Sequence, residues 1–235
     1  METPVPSALI PRLPPVREVN LQLAFGESVG LSVEQVGKQT ASDVAVARHY
    51  LHRAPPISYS FGLFWGLEIA GVVTFGTPAS RHLTIGVCRS APECVIELNR
   101  LWVTDELPRN TESWFVSRAL HMLPPKLVVS YADTARGHMG YIYRALNFHY
   151  AGWTDMERLS PRVDYIPASG GHTRDAFRGG ANYTAKVPRK PKVKYWTATG
   201  NRRERRDLAR LCEWPSLDWR EFPPPTEHMR LRLAS

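Results

Sequence analysis

The stretch LVVSYADTARGHMGYIYRALNFHYAGW, residues 127–153, constrains this chain more than any other. A short apolar run ends in Ser130-Tyr131-Ala132-Asp133. An aromatic-studded helical pattern follows over 137–146, and a second β-rich run occupies 148–154. A strand–helix–strand unit of this kind implies a parallel pair with a right-handed crossover. The chain therefore needs a sheet with helices packed on it.

The rest of the sequence extends that unit. SYSFGLFWG (58–66) and EIAGVVTFGTP (68–78) are joined so closely that they read as a hairpin, and CVIELNRLWV (94–103) reads as a third strand. A helix is expected over 109–123, with Asn110 or Thr111 as its cap and Pro124-Pro125 as its stop. Another begins at Ser42 or Asp43, buries Val44, Ala47 and Leu51, and ends before Pro55-Pro56. It places His49, Tyr50 and His52 in its last turn. The order helix, β, β, β, helix, β, helix, β predicts an α/β fold with a mixed central sheet flanked by helices.

Composition narrows the partner. The formal net charge is +8 and the pI near 9.6, which favours a polyanion, with nucleic acid ahead of a membrane surface. The charge is concentrated late. Lys186, Arg189, Lys190, Lys192, Lys194, Arg202, Arg203, Arg205, Arg206 and Arg210 face only Glu204 and Asp207, with Tyr183, Tyr195 and Trp196 interleaved. Cations neutralise phosphates and aromatic rings stack or wedge, so the expected partner is a nucleic acid. NRRERRDLARL reads as a basic helix with Leu208 and Leu211 on its inner face. Cys88, Cys94 and Cys212 lack metal-ligand spacing and read as ordinary buried thiols. The first twenty residues, with five prolines, suit an extended arm rather than a signal peptide, and no run of 18 apolar residues suggests a membrane span. The expected organisation is an arm (1–20), a core (21–165) and a basic Gly/Pro-rich extension packed on it (166–235).

Several side chains stand out on chemical grounds. Asp133 ends a buried strand, where α/β proteins place ligands; it either caps a turn or accepts a proton. Ser130 and Tyr131 point to opposite faces of that strand. Arg100 is a strange residue for a central strand and needs Glu97, Asp133 or a bound anion as partner. His49 and His52 share a helix face and with Asp133 would make a two-histidine, one-carboxylate metal set; the plainer reading is that cations suit a helix C-terminus. Trp65, Trp102 and Trp153 would either pack in the core or receive a base.

The element order resembles the GNAT acyltransferase fold, and YRALNF (143–148) is similar to the tyrosine-x-x-x-glycine-phenylalanine ending of its last core helix, with Asn147 in place of glycine. This resemblance implies acetyl-coenzyme A as cofactor, Tyr143 as the acid for the departing thiolate, and Arg109, Asn110, Thr111, Ser113 and Ser117 as cofactor contacts. ELNRLWV, VVSYAD, GYIYRALNF and the basic tail together resemble the Mom family of Mu-like bacteriophages. That family modifies adenine in phage DNA with an acetamido group, protecting it from host restriction. The resemblance implies a transferase of the host bacterial cytoplasm with Asp133, Tyr143, His49, Tyr50 and Arg100 as catalytic residues. It also raises iron, with His49 and Asp133 as ligands. The alternatives are an ordinary GNAT acting on a protein or small-molecule amine, and a non-catalytic DNA-binding protein on the same scaffold.

Overall fold

The computed structural model describes residues 30–155, 162–168, 177 and 181–218. The expected arm over 1–20 lies outside them. The order is β1 (Leu31–Gln35), α1 (Lys38–Arg48), β2 (Tyr59–Trp65), β3 (Glu68–Gly76), α2 (Arg81–Val87), β4 (Val95–Val103), α3 (Thr111–Met122), β5 (Leu127–Ala132), α4 (Tyr141–Ala145), β6 (His149–Trp153), β7 (Val163–Pro167), β8 (Tyr183–Pro188), β9 (Val193–Ala198) and α5 (Arg202–Leu211). Seven strands form one mixed sheet in the order β1-β2-β3-β4-β5-β9-β6, and β7-β8 form a separate ribbon. The expected α/β class with a mixed sheet and flanking helices is what the chain adopts. No helix among the described residues is long and apolar enough to cross a membrane.

The chain forms two contact units. The first runs to Ser130 and includes Ile142–Phe148 and Trp196–Trp214; the second holds Tyr131–Tyr141, His149–Tyr195 and the residues from Pro215. The expected boundary at 165/166 is not where these units part. Residues 193–198, assigned to the extension, are an interior strand of the main sheet. Their sequence, VKYWTA, alternates weakly because cations share it with buried Val193, Tyr195 and Trp196.

In the first unit, β1 to β4 run antiparallel, and β4 and β5 are parallel across the α3 crossover. Phe61 and Phe75 meet edge-on at 6.1 Å, and Phe115, Val116 and Ala119 of α3 are fully buried. Each such ring contributes about 1.5–3 kcal/mol through lost apolar exposure. α1 begins four residues before Ser42, behind Gly37, with no side-chain cap. It buries Ala41 and Ala45 instead of Ala47, and it ends at Arg48, so His49, Tyr50 and His52 follow the helix rather than sit in its last turn.

In the second unit, Asp133 caps the 3-10 turn Thr134–Arg136, and left-handed Gly137 and Gly140 delay α4 to Tyr141. Gly140 is required: a Cβ there would lie 2.5 Å from the Tyr195 ring, whose hydroxyl donates to the Met139 carbonyl at 2.7 Å. Tyr165, Phe177 and Tyr183 form a ring cluster on the β7-β8 ribbon.

One glycine fastens the first unit. A Cβ at Gly76 would lie 1.8 Å from the Pro56 carbonyl oxygen, so no side chain fits between β3 and the segment entering β2. Gly76→Ala is expected to lower stability by on the order of 2–3 kcal/mol in chemical denaturation. An unchanged midpoint would show that this segment is not fixed there.

Candidate active site

The site begins where two strands part. β4 and β5 pair in register at Val95, Ile96 and Glu97, opposite Leu127, Val128 and Val129. Beyond Glu97, β4 carries an extra residue. Against β3, Thr74 faces Arg100 and Phe75 faces Leu98, leaving Asn99 as a bulge. Asn99 is held by its side chain: Thr74 Oγ1 donates to Oδ1 at 2.6 Å, and Nδ2 donates to the Pro56 carbonyl at 2.8 Å.

Ser130 sits at the parting. Its hydroxyl oxygen lies 2.9 Å from the Leu98 carbonyl oxygen and 2.7 Å from the Tyr143 phenol oxygen. A carbonyl can only accept, so when Ser130 donates to Leu98 its lone pairs remain for the Tyr143 proton. If the phenol gives up that proton, Ser130 can turn and donate to the phenolate.

α4 brings Tyr143 to this point. Ile142 begins the segment of the first unit, and Tyr143 is buried against Phe148 at 5.2 Å between ring centres. Asn147 adopts φ 55°, the left-handed angle expected for the residue standing in the glycine position, and the Phe148 N–H returns to the Tyr143 carbonyl at 2.9 Å. Burial pushes the Tyr143 phenol up to about 12; the Ser130 hydrogen bond opposes this, and Tyr50 and Glu97 add to it. The phenol is thus a neutral proton donor at physiological pH.

Arg100 lies just past the bulge, with Nη1 donating to the Asn99 carbonyl and Nε buried without a partner. Burial lowers its pKa most, then the nearby charge of Arg53; Tyr50 and Glu97 oppose this. The expected partners therefore act differently: Glu97 is within electrostatic reach but makes no ion pair with Arg100. His49 stacks on Tyr50 at 4.2 Å, and its Nδ1 accepts from the Leu51 N–H, which leaves the ring proton on Nε2. The first unit so gathers Tyr50, Glu97, Arg100, Ser130 and Tyr143, with His49 stacked behind.

Other expectations resolve differently. His52 has φ 45° and turns its Nδ1 to the Val46 carbonyl at 2.9 Å, so it shares no helix face with His49. No group of three metal-binding side chains exists among the described residues, and the iron set His49 and Asp133 is not supported. Asp133, in the second unit, accepts from the Ala135 N–H and pairs with Lys192 Nζ at 3.4 Å, the turn-capping alternative of its two readings. In the presumed cofactor loop, Asn110 takes the left-handed corner a glycine would occupy, at φ 72°. The Thr111 and Ser113 hydroxyls, however, donate to the Pro108 and Asn110 carbonyls, Glu112 stands in the first turn, and Ser117 accepts at its carbonyl from His121. Trp65 and Trp102 are half-buried, the latter under Arg48 at 5.8 Å; in the second unit, Trp153 is buried.

The basic residues divide into spent and available charges. Arg189 is held by Asp164, Lys192 by Asp133 and Arg203 by Asp207, while Lys186 lies over the Tyr165 and Tyr183 rings. Arg202, Arg205 and Arg206 on α5, and Lys190, form no ion pair with any described residue. α5 carries a capping box between Asn201 and Glu204, yet buries no residue; Leu208 is half-buried and Leu211 exposed, so the expected inner face is shallow. Of the three thiols expected to be buried, Cys88 is buried and Cys94 and Cys212 are half-buried, the latter two pushed up to about 11, mainly by burial.

A family model for the Mom protein family matches residues 30–209. The chain belongs to the Mom protein family. It is 34% identical over 148 residues to the methylcarbamoylase mom of Escherichia phage Mu, an alignment covering 59% of this chain and 61% of that protein. The chain thus spans about three-fifths of the length of the curated relative it matches. Among solved structures it is similar to the ribosomal-protein-S5-alanine acetyltransferase of Vibrio fischeri (TM-score 0.42, 11% identity, 75% of this chain and 97% of that one). It is likewise similar to a putative acetyltransferase of Salmonella typhimurium (TM-score 0.41, 9% identity, 73% and 95%). Likeness at these scores carries no functional weight. Within the Mom family match lie Tyr143, Ser130, Arg100 and the α5 arginines Arg202, Arg203, Arg205 and Arg206.

Sequence reading overlooked Ser130 as the partner of Tyr143, because the strand bulge that brings them together leaves no mark in the hydrophobic pattern. Tyr143→Phe leaves Ser130 bonded to Leu98 and is expected to cost only about 1 kcal/mol. Tyr143 holds its proton more tightly folded (about 12) than unfolded (about 10), so its contribution is complete below pH 10 and is lost as pH rises towards 12. The stability difference between the wild type and Tyr143→Phe should shrink across that window in urea titrations; parallel curves would contradict the buried phenol.

Proposed function

We propose that this protein transfers a carbamoylmethyl-type (acetamido) group to the exocyclic amine of adenine in DNA, in the host cytoplasm, shielding phage DNA from restriction. Support comes from its membership of the Mom family and from the name of its phage Mu relative, a methylcarbamoylase. The observation that carries the reading is the neutral Tyr143 phenol, buried and backed by Ser130.

The bond order of the product fixes what the residues must do. A carbamoylmethyl group joins nitrogen to a methylene carbon. The N–C bond forms as the bond from that carbon to its leaving group breaks, the amine loses one proton, and the leaving group gains one. Tyr143 donates the latter proton, and Ser130 turns from the Leu98 carbonyl to hold the phenolate. Arg100 presents its guanidinium fork to an oxyanion beside the reacting group, and Tyr50 and His49 wall the site. An adenine in a duplex must leave the stack to reach them, at an unstacking cost of a few kcal/mol.

The GNAT resemblance implies a coenzyme A donor; a thioester places the sulfur on the carbonyl carbon, so forming this N–C bond requires the coenzyme A sulfur, or another leaving group, on the methylene carbon. The free amides at the start of α3, with the left-handed corner at Asn110 and the charge of Arg109, are what would hold the coenzyme A pyrophosphate, against the opposing Glu112. Lys190, Arg202, Arg205 and Arg206 are proposed to hold the backbone of double-stranded DNA, with Lys186 and Lys194 and the carboxylate-paired Arg189, Lys192 and Arg203 adding positive charge.

Two measurements test the proposal. Deoxyadenosine from bacteria making the protein should carry the mass of one carbamoylmethyl group, and unmodified deoxyadenosine beside abundant folded protein would sink the reading. Arg202→Ala and Arg206→Ala, which disturb no ion pair, should each reduce the salt slope of duplex binding by about 1. An unaltered slope would remove α5 from the DNA contact.

A further inference from the structure

Asn99 and Gly76 do more than shape β4. Between them they fasten the segment that follows α1 against the sheet at Pro56. The fastened segment carries Arg53, three residues before Pro56, and Arg100 directly follows Asn99; after burial, the charge of Arg53 is the largest influence on Arg100.

Two like charges held together are unfavourable unless something offsets them. Among the described residues nothing does so fully. Arg100 makes one hydrogen bond, to the Asn99 carbonyl, and its buried Nε has no partner. The Arg53 guanidinium makes no hydrogen bond or ion pair to any described residue. Glu97 and Tyr50 act on Arg100 only at longer range. A buried unpaired guanidinium donor costs stability, and the planar fork suits an oxyanion with two acceptor oxygens. Beside the pair, Arg48 covers the Trp102 ring at 5.8 Å, adding a third cation and an aromatic face.

From this arrangement we infer that Arg53 and Arg100 form a clamp for one oxyanion, the phosphodiester flanking the adenosine presented to Tyr143. The inference rests on the DNA-adenine reading above. A nucleotide that leaves the stack brings its phosphates with it, and their charge must be met where the base enters. A cluster of arginines interleaved with an aromatic ring is the pattern that meets it.

The test uses the full chain and duplexes in which 2-aminopurine replaces a single adenine, with natural linkages or one uncharged methylphosphonate 5′ or 3′ of it. For the wild type, the neutral linkage on one side should weaken binding about tenfold, the size of one charge-assisted hydrogen bond. In Arg53→Ala the same linkage should change binding less than about twofold, because the clamp is already lost; Arg53→Lys, which keeps the charge but not the fork, should fall between. The clamp is wrong if Arg53→Ala binds the natural duplex like the wild type, or responds to the neutral linkage as strongly. Should Arg53→Ala keep wild-type duplex binding yet lose adenine modification in cells, the oxyanion belongs to the donor and the phosphate assignment falls. Should the linkage effect appear while wild-type protein leaves deoxyadenosine unmodified, the clamp stands and the proposed reaction fails.

Discussion

The hydroxyl of Ser130 is where the fold turns into a site. Three register pairs join β4 to β5, and at the fourth position a side chain replaces the backbone ladder by reaching the Leu98 carbonyl. That substitution lets β4 bulge at Asn99 while the strands stay joined. The bulge releases Arg100 from the plain alternation of a strand and holds Pro56, and through it the segment carrying Tyr50 and Arg53. The same hydroxyl meets the Tyr143 phenol, so one small residue links strand pairing, a short helix and a proton donor.

The electrostatics follow from burial. Tyr143 is held neutral far above physiological pH, while burial lowers the pKa of Arg100 and leaves one of its nitrogens unsatisfied. A neutral acid suits a reaction in which negative charge appears on a departing group, and an under-compensated guanidinium suits an oxyanion beside it. The surface cations are of a different kind. Those facing Asp133, Asp164 and Asp207 stabilise their own turns and helix, and those left unpaired on α5 are free for a polyanion.

Much of the fold was legible in the sequence because strand and helix periods are strong there. The hairpin of β2 and β3, the strands β4 and β5, the helix α3 between them and the basic helix α5 follow from alternation, proline stops and charge. β9 was not legible: Lys194 interrupts its apolar residues, and its place inside the sheet depends on contacts far along the chain. Within the site, Tyr143, Arg100, Tyr50 and His49 could be named from residue type and family resemblance. Ser130 and Arg53 acquire their roles only through the bulge at Asn99 and the fastening at Gly76, which no local pattern encodes. Asp133 illustrates the opposite case: the sequence gives a carboxylate at a strand end two readings, and its bond to the Ala135 N–H and its pairing with Lys192 supply the capping one.

The account stands most directly on the Tyr143 phenol as proton donor. The decisive measurement is the modified fraction of deoxyadenosine, by mass spectrometry of nucleosides, in cells making Tyr143→Phe or the wild type at equal levels of folded protein. Loss of modification by 10²-fold or more, the usual contribution of a positioned acid, is the predicted result. Wild-type modification by Tyr143→Phe would contradict it.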